Sequence, residues 1–163
     1  MSTIAPAFTA RSLLLLVAAT IPVVAVSTLG SVFTFQGLAS WYPTLKKPFF
    51  TPPNAVFPIV WTFLYALMAL SSWRILRATG EGKTKALAIY GLQLIVNLAW
   101  SFAFFALRSP WAGVAVIVPL IGLIYLTIRA FRPLDVAASN ALLPYLAWVG
   151  FASLLNTTIA VIN

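Results

Sequence analysis

The chain has 163 residues, 62% of them apolar and only 7% charged, and its mean hydropathy is +1.02. A soluble domain carries roughly a quarter charged residues, so a water-soluble globule is excluded. Ten Lys and Arg against two Asp and Glu leave a formal charge of +8, yet these cations stand between apolar runs and do not form the continuous basic face of a nucleic-acid reader. Membrane lipid is therefore the expected electrostatic partner, not nucleic acid. With no Cys and no His, disulfides, thiol nucleophiles, imidazole bases, Cys/His zinc sites and His or Cys haem ligation are excluded, and no metal site is expected.

The apolar residues suffice for about five spans of ~20 residues each, so the expectation is one all-α integral membrane domain, residues 1–163. The first span covers residues 12–35, uncharged, with Pro22 inside and Arg11 before it. Ala25-Val26-Ser27 imitates a signal-peptide cleavage site, but the apolar run continues past it to a spanning length of ~23 residues, which favours a retained helix. Residues 36–53 hold four prolines, two lysines and four aromatics, and are expected to form an ordered loop without regular helix.

A second span is expected over residues 54–77, with Thr51 or Asn54 as its cap and Arg74 and Arg77 favourable at its C-terminal end. The third, residues 86–107, ends where Arg108-Ser109-Pro110 blocks continuation. The fourth, residues 111–129, carries Pro119 and should kink there. The fifth, residues 137–162, has Pro144 close enough to its start to be tolerated. Five spans put the two ends of the chain on opposite faces. Arg11, Arg74, Arg77, Lys83, Lys85, Arg129 and Arg132 then oppose Lys46, Lys47 and Arg108. The richer face is expected in the cytoplasm, together with the N-terminus.

Polar residues at membrane depth are few, so their helical phase is informative. Gln93, Asn97, Trp100 and Phe104 are spaced 4, 3 and 4 along the third span and share a face. Ala99, Ala103 and Ala106 lie roughly opposite, small enough for another helix to approach, within the bundle or across a dimer. Trp61, Tyr65, Met68 and Ser72 repeat this rhythm on the second span, and Pro144, Trp148, Ala152 and Leu155 on the fifth. Aromatic stripes of this kind serve equally as packing faces. The amides Gln93 and Asn97 require partners in hydrocarbon and so face another polar group, a wet cavity or a ligand. The first loop also has two readings. Trp41 and Tyr42 are interfacial anchors with Lys46 and Lys47 snorkelling to head groups, or the loop is a stiff lid offering two cations to an anionic ligand.

WYPTLKKPFFTPPNAVFPIVWTFLYALMAL, QLIVNLAWSFAFFALRSPWAG and LPYLAWVGFASLLN together resemble the translocator protein family, also called tryptophan-rich sensory proteins or peripheral-type benzodiazepine receptors. The resemblance spans roughly residues 38–156, and the first helix matches by hydropathy alone. It implies a five-helix bundle, usually dimeric, whose cavity beneath the first loop binds porphyrins and other hydrophobic aromatic ligands, with cholesterol a ligand in animal members. Matched motif by motif, the family's pocket residues fall on Tyr42, Trp61, Asn97 and Trp148, with Trp111 and Ala152 also at cavity-lining positions. Trp100 joins them through its stripe. The animal sterol motif after Leu155-Asn156 needs an aromatic and then a basic residue, and this chain continues Thr157-Thr158-Ile159. Cholesterol recognition by that route is not expected.

The leading expectation is a receptor or regulator that binds tetrapyrroles, with ring faces on Trp61 and Trp148, a hydrogen bond at Asn97, and Lys46 or Lys47 on a carboxylate. No cofactor is required; porphyrin is the ligand. Resemblance to bacterial members adds a second class, light-dependent alteration of bound porphyrin with the tryptophans as redox participants. Ordinary acid/base catalysis is excluded, because Glu81 and Asp135 fall in loops on the expected cytoplasmic side. A transporter of small amphipathic molecules is a third class, although internal repeats and intramembrane charges are missing.

Overall fold

The computed structural model describes residues 9–163; the first eight residues of the expected 1–163 domain lie outside the described residues. Five stretches are long and apolar enough to cross a membrane, built from α1 (Ala10–Ser40), α2 (Val56–Arg77), α3 (Lys83–Ser101), α4 (Pro110–Phe131), α5 (Val136–Ala141) and α6 (Leu143–Ile162). Most of the core comes from Leu64, Met68 and Ile75 of α2, Tyr90 and Leu94 of α3, Ile117, Leu120 and Ile124 of α4, and Tyr145 and Val149 of α6. The outward faces stay apolar, with Leu14, Ile21, Ile59, Ile95 and Leu154 exposed as a lipid-facing surface requires.

Several boundaries differ from the sequence expectation for identifiable reasons. The first helix continues through Gln36 and Gly37 to Ser40, because Gly37 sits at a helix crossing and not at a terminus. A Cβ there would lie 2.8 Å from the Phe105 carbonyl oxygen, so only glycine lets α1 lie this close to the end of the third span. Neither Thr51 nor Asn54 caps α2. Ala55 occupies the cap without a side-chain bond, and the Thr51 hydroxyl donates to the Pro48 carbonyl instead. At its other end α2 is capped by Lys83, whose Nζ donates to the carbonyls of Leu76 and Ala78. A cation thus meets the negative end of the helix dipole.

The third span starts at Lys83 and ends in a π-helical turn, Phe102–Ala106, where the Leu107 amide donates to the Phe102 carbonyl five residues back. The wider turn places Ala103, Phe104 and Phe105 in the interior together. Ser109 caps α4 through the Ala112 amide, and Pro110 takes the first helical position. Helix α4 runs on through Pro119, whose ring is exposed on the outer face.

The expected fifth helix is two helices. Pro144 has no N–H and its ring opposes the carbonyl four residues earlier, so α5 stops at Ala141 and α6 restarts with Pro144 in its first turn. Short α5 is stitched in place from both sides. The Ser71 hydroxyl donates to Ala138 O at 2.7 Å and the Ser139 hydroxyl to Ile128 O at 2.9 Å.

Asp135 caps α5 by accepting from the Ala138 amide at 2.8 Å and pairs with Arg74 at 2.9 Å. Burial opposes ionisation of this carboxyl, but the Ala138 amide and the Arg74 guanidinium outweigh it and hold it below the usual carboxylate range. Its folded value is therefore depressed relative to the unfolded chain. The stabilisation is complete above the unfolded value of about 3.9 and is lost as pH falls through the lower folded one. Asp135→Asn keeps a cap but removes the ion pair, and should lower stability at neutral pH by about 1–2 kcal/mol. Melting in detergent across pH 2 to 7 checks this: the variant should lack the acid-side decline that the parent shows.

Candidate functional site

A cavity of about 260 Å³ lies between α1, α2, the third span and α6. Tyr42, in a 3-10 turn (Tyr42–Thr44), closes it on the loop side. The exposed lining residues, Ser31, Phe35, Asn54, Pro58 and Thr62, all belong to α1, α2 or the residues just before α2. The mouth therefore opens between those two helices. The volume is close to the lower end for small-molecule sites, about 300 Å³.

Four of the expected site residues meet here: Tyr42, Trp61, Trp100 and Ala152. Trp61 tilts against Tyr65 with ring centres 5.4 Å apart and meets Tyr145 edge-on at 6.2 Å. Trp100 stacks on Phe104 at 5.7 Å, and its indole N–H donates to Asn156 Oδ1 at 3.0 Å. Tyr42 is buried against Phe104 and Phe105, with the Lys47 ammonium 4.7 Å from its ring centre. Burial pushes the Tyr42 phenol up from its ordinary value, so it is a neutral hydrogen-bonding group at physiological pH.

Three others are placed elsewhere. Asn97 lies beneath the cavity, 2% exposed, with both ends of its amide bonded within the protein. The Tyr65 hydroxyl donates to Asn97 Oδ1 (3.1 Å), Asn97 Nδ2 donates to the Tyr145 hydroxyl (2.9 Å), and Tyr145 donates to Gln93 Oε1 (2.8 Å). The amide stripe is thus a structural network that sets Tyr65 in the cavity floor. Trp148 stands behind the lining, packed on Phe57 at 5.9 Å and Phe151 at 5.4 Å. Trp111 is 60% exposed. Helix α4 buries Gly113 and Ile117, and a residue two positions before Gly113 lies on the opposite side of the helix. The loop lysines do not line the cavity either. The Lys46 backbone is held by Asn163, which accepts its N–H at 2.9 Å and donates to its carbonyl at 3.0 Å.

Other lining residues escaped the sequence reading. Asn156 is one, although its spacing of 4 from Ala152 continues the stripe of Trp148 and Ala152. Ser27, Ser31 and Thr34 of α1 are others, and their spacing of 4 and 3 was a usable signal in an otherwise apolar helix. Among the described residues, no charged side chain lines the cavity and no cluster could hold a metal ion. The site can enclose a flat apolar molecule between aromatic walls and hydrogen-bond to it at a few neutral positions.

A five-span helical membrane protein with a tryptophan-lined cavity under its first loop is the class that fold and site define. The TspO/MBR family model matches residues 18–162, and the chain belongs to that family. It is 42% identical to Tryptophan-rich protein TspO of Chlorobaculum tepidum over 142 residues, 85% of this chain and 89% of that protein. The Archaeoglobus fulgidus protein of the same name is 39% identical over 152 residues, 93% and 99% of the two chains. Translocator protein of Ovis aries is 36% identical over 120 residues, 71% and 70%.

Asn97→Leu should leave the Tyr65 and Tyr145 hydroxyls short of partners in a buried layer and destabilise the bundle by about 1–3 kcal/mol. Thermal or SDS unfolding in micelles, beside a surface control such as Thr84→Ala, measures this.

Proposed function

We propose that this protein is a membrane receptor or regulator that binds porphyrin-type tetrapyrroles and similar hydrophobic aromatic ligands in the cavity beneath its first loop. The observation that carries the reading is the uncharged hollow walled by Trp61, Trp100, Tyr42 and Phe104, a surface suited to a planar π-system. The name Tryptophan-rich sensory protein, borne by the 39% identical protein of Cereibacter sphaeroides, supports a sensing role. With neither His nor Cys in the chain, axial ligation of iron by imidazole or thiolate is excluded, and recognition works through ring faces and hydrogen bonds. Trp61 takes the principal ring contact, and Trp148 backs the wall through Phe57.

Quenching of tryptophan fluorescence by protoporphyrin IX in detergent tests this reading. An aromatic contact contributes about 0.5–1.5 kcal/mol beyond area burial, so Trp61→Ala should weaken binding at least about threefold, and Trp111→Ala should leave it unchanged. Equal affinities in parent and Trp61→Ala would remove the cavity from the account.

The basic residues fall at two ends of the bundle. Trp73 donates to Ser12 O beside Arg11, and Arg74 pairs with Asp135, while Arg108 meets Ser40 at the loop end. The basic-rich end is proposed to face the cytoplasm, with the first loop and Asn163 outside. A reporter active only in the cytoplasm should therefore be silent when fused after Asn163.

A further inference from the structure

Asn156 lines the cavity although it is only 2% exposed, and the orientation of its carboxamide is dictated by its partners. An indole N–H only donates and a carbonyl oxygen only accepts. The Trp100 indole at 3.0 Å therefore identifies Oδ1, and the Pro110 carbonyl at 2.9 Å identifies Nδ2. Turning the amide over would break both bonds. Gly113 makes the space for this arrangement, since a Cβ there would lie 2.5 Å from Asn156 Oδ1 and 2.9 Å from Phe104 Cδ2.

A carboxamide nitrogen carries two hydrogens. One is committed to Pro110, and the other has no acceptor among the described residues. Several neighbouring donors are already used within the protein: the hydroxyl of Ser31 donates to Ser27 O, that of Thr62 to Pro58 O and that of Tyr65 to Asn97 Oδ1. A free hydroxyl can also rotate toward whatever partner is present. The second N–H of Asn156 cannot, because both ends of its amide are held.

We infer that Asn156 is a specificity-determining residue of the cavity, whose second N–H selects ligands that set a hydrogen-bond acceptor, such as a carbonyl or carboxylate oxygen, against the wall formed by α3 and α6. A bound ligand without an acceptor there leaves a locked, dehydrated donor unpaired, which is the condition under which polar sites discriminate most strongly. The inference rests on the porphyrin-binding reading and deepens it.

Two neutral porphyrins separate the effects: protoporphyrin IX dimethyl ester, which carries ester carbonyls, and octaethylporphyrin, which has a similar macrocycle and no oxygen. The purified full chain should bind the ester about tenfold more tightly. In Asn156→Asp a protonated carboxyl keeps both bonds, its C=O accepting from Trp100 and its O–H donating to Pro110. Only the second N–H is deleted. The ester should then bind about tenfold more weakly than to the parent, with octaethylporphyrin unchanged, which also reports an intact fold. Equal binding of both porphyrins by the parent overturns the inference with no variant needed. Undiminished ester binding by Asn156→Asp, or equal losses for both probes, does so too. Failure of the parent to bind either porphyrin overturns the porphyrin reading itself, and this inference with it.

Discussion

Inside hydrocarbon a side-chain amide has no water to bond with, and the interior of this bundle is arranged around that constraint. Three carboxamides, Gln93, Asn97 and Asn156, are buried at membrane depth, and each draws groups from other helices toward itself. Asn97 holds Tyr65 of α2 and Tyr145 of α6, and Asn156 holds Trp100 of α3 and the first turn of α4. These links are directional, so they select one rotation of each helix where apolar packing alone would accept several. Trp100 and Tyr65 consequently face the cavity as rigid walls.

Space for the cavity comes from the opposite device, the absence of side chains. Gly37 lets α1 approach the Phe105 backbone, and Gly113 admits the Asn156 amide against α4. Between these two close approaches the π turn carries Phe104 and Phe105 inward. The large rings of Trp61, Trp100 and Tyr42 then keep α1 and α2 from closing over the hollow at the loop end, while Trp73 ties the same helices together at the far end. The closed contact and the open cavity thus lie at different ends of one helix pair.

The charged residues stay clear of the cavity. Asp135, with Arg74, braces α5 at the end away from the first loop, and Lys83 caps α2 there. Among the described residues, the polar groups that border the hollow are neutral.

Spans, their order and the identity of the aromatic stripes were legible along the chain, because hydropathy over twenty residues and a period of 3.6 are local properties. Proline positions likewise marked the loop and the start of α4. Where α1 ends was not legible, since Gly37 has the same composition at a terminus as at a crossing, and only the partner, Phe105, tells them apart. The π turn also depends on what neighbouring helices cover, whereas the break at Leu142 follows from Pro144 and is only held in place by the bonds of Ser71 and Ser139.

The site divides along the same line. Spacing placed Trp61, Asn97 and Trp148 on inward faces, but inward is not yet cavity: Asn97 is taken by two tyrosines and Trp148 by Phe57 and Phe151. By itself the sequence determined which segments span, their order along the chain and the aromatic stripes of the second, third and fifth spans, because each of these follows from residues a few positions apart. Only the tertiary structure decided which inward groups bond one another and which border empty space. That outcome depends on distances between residues such as Trp100 and Asn156 or Gly37 and Phe105, far apart in the chain and brought together by packing alone.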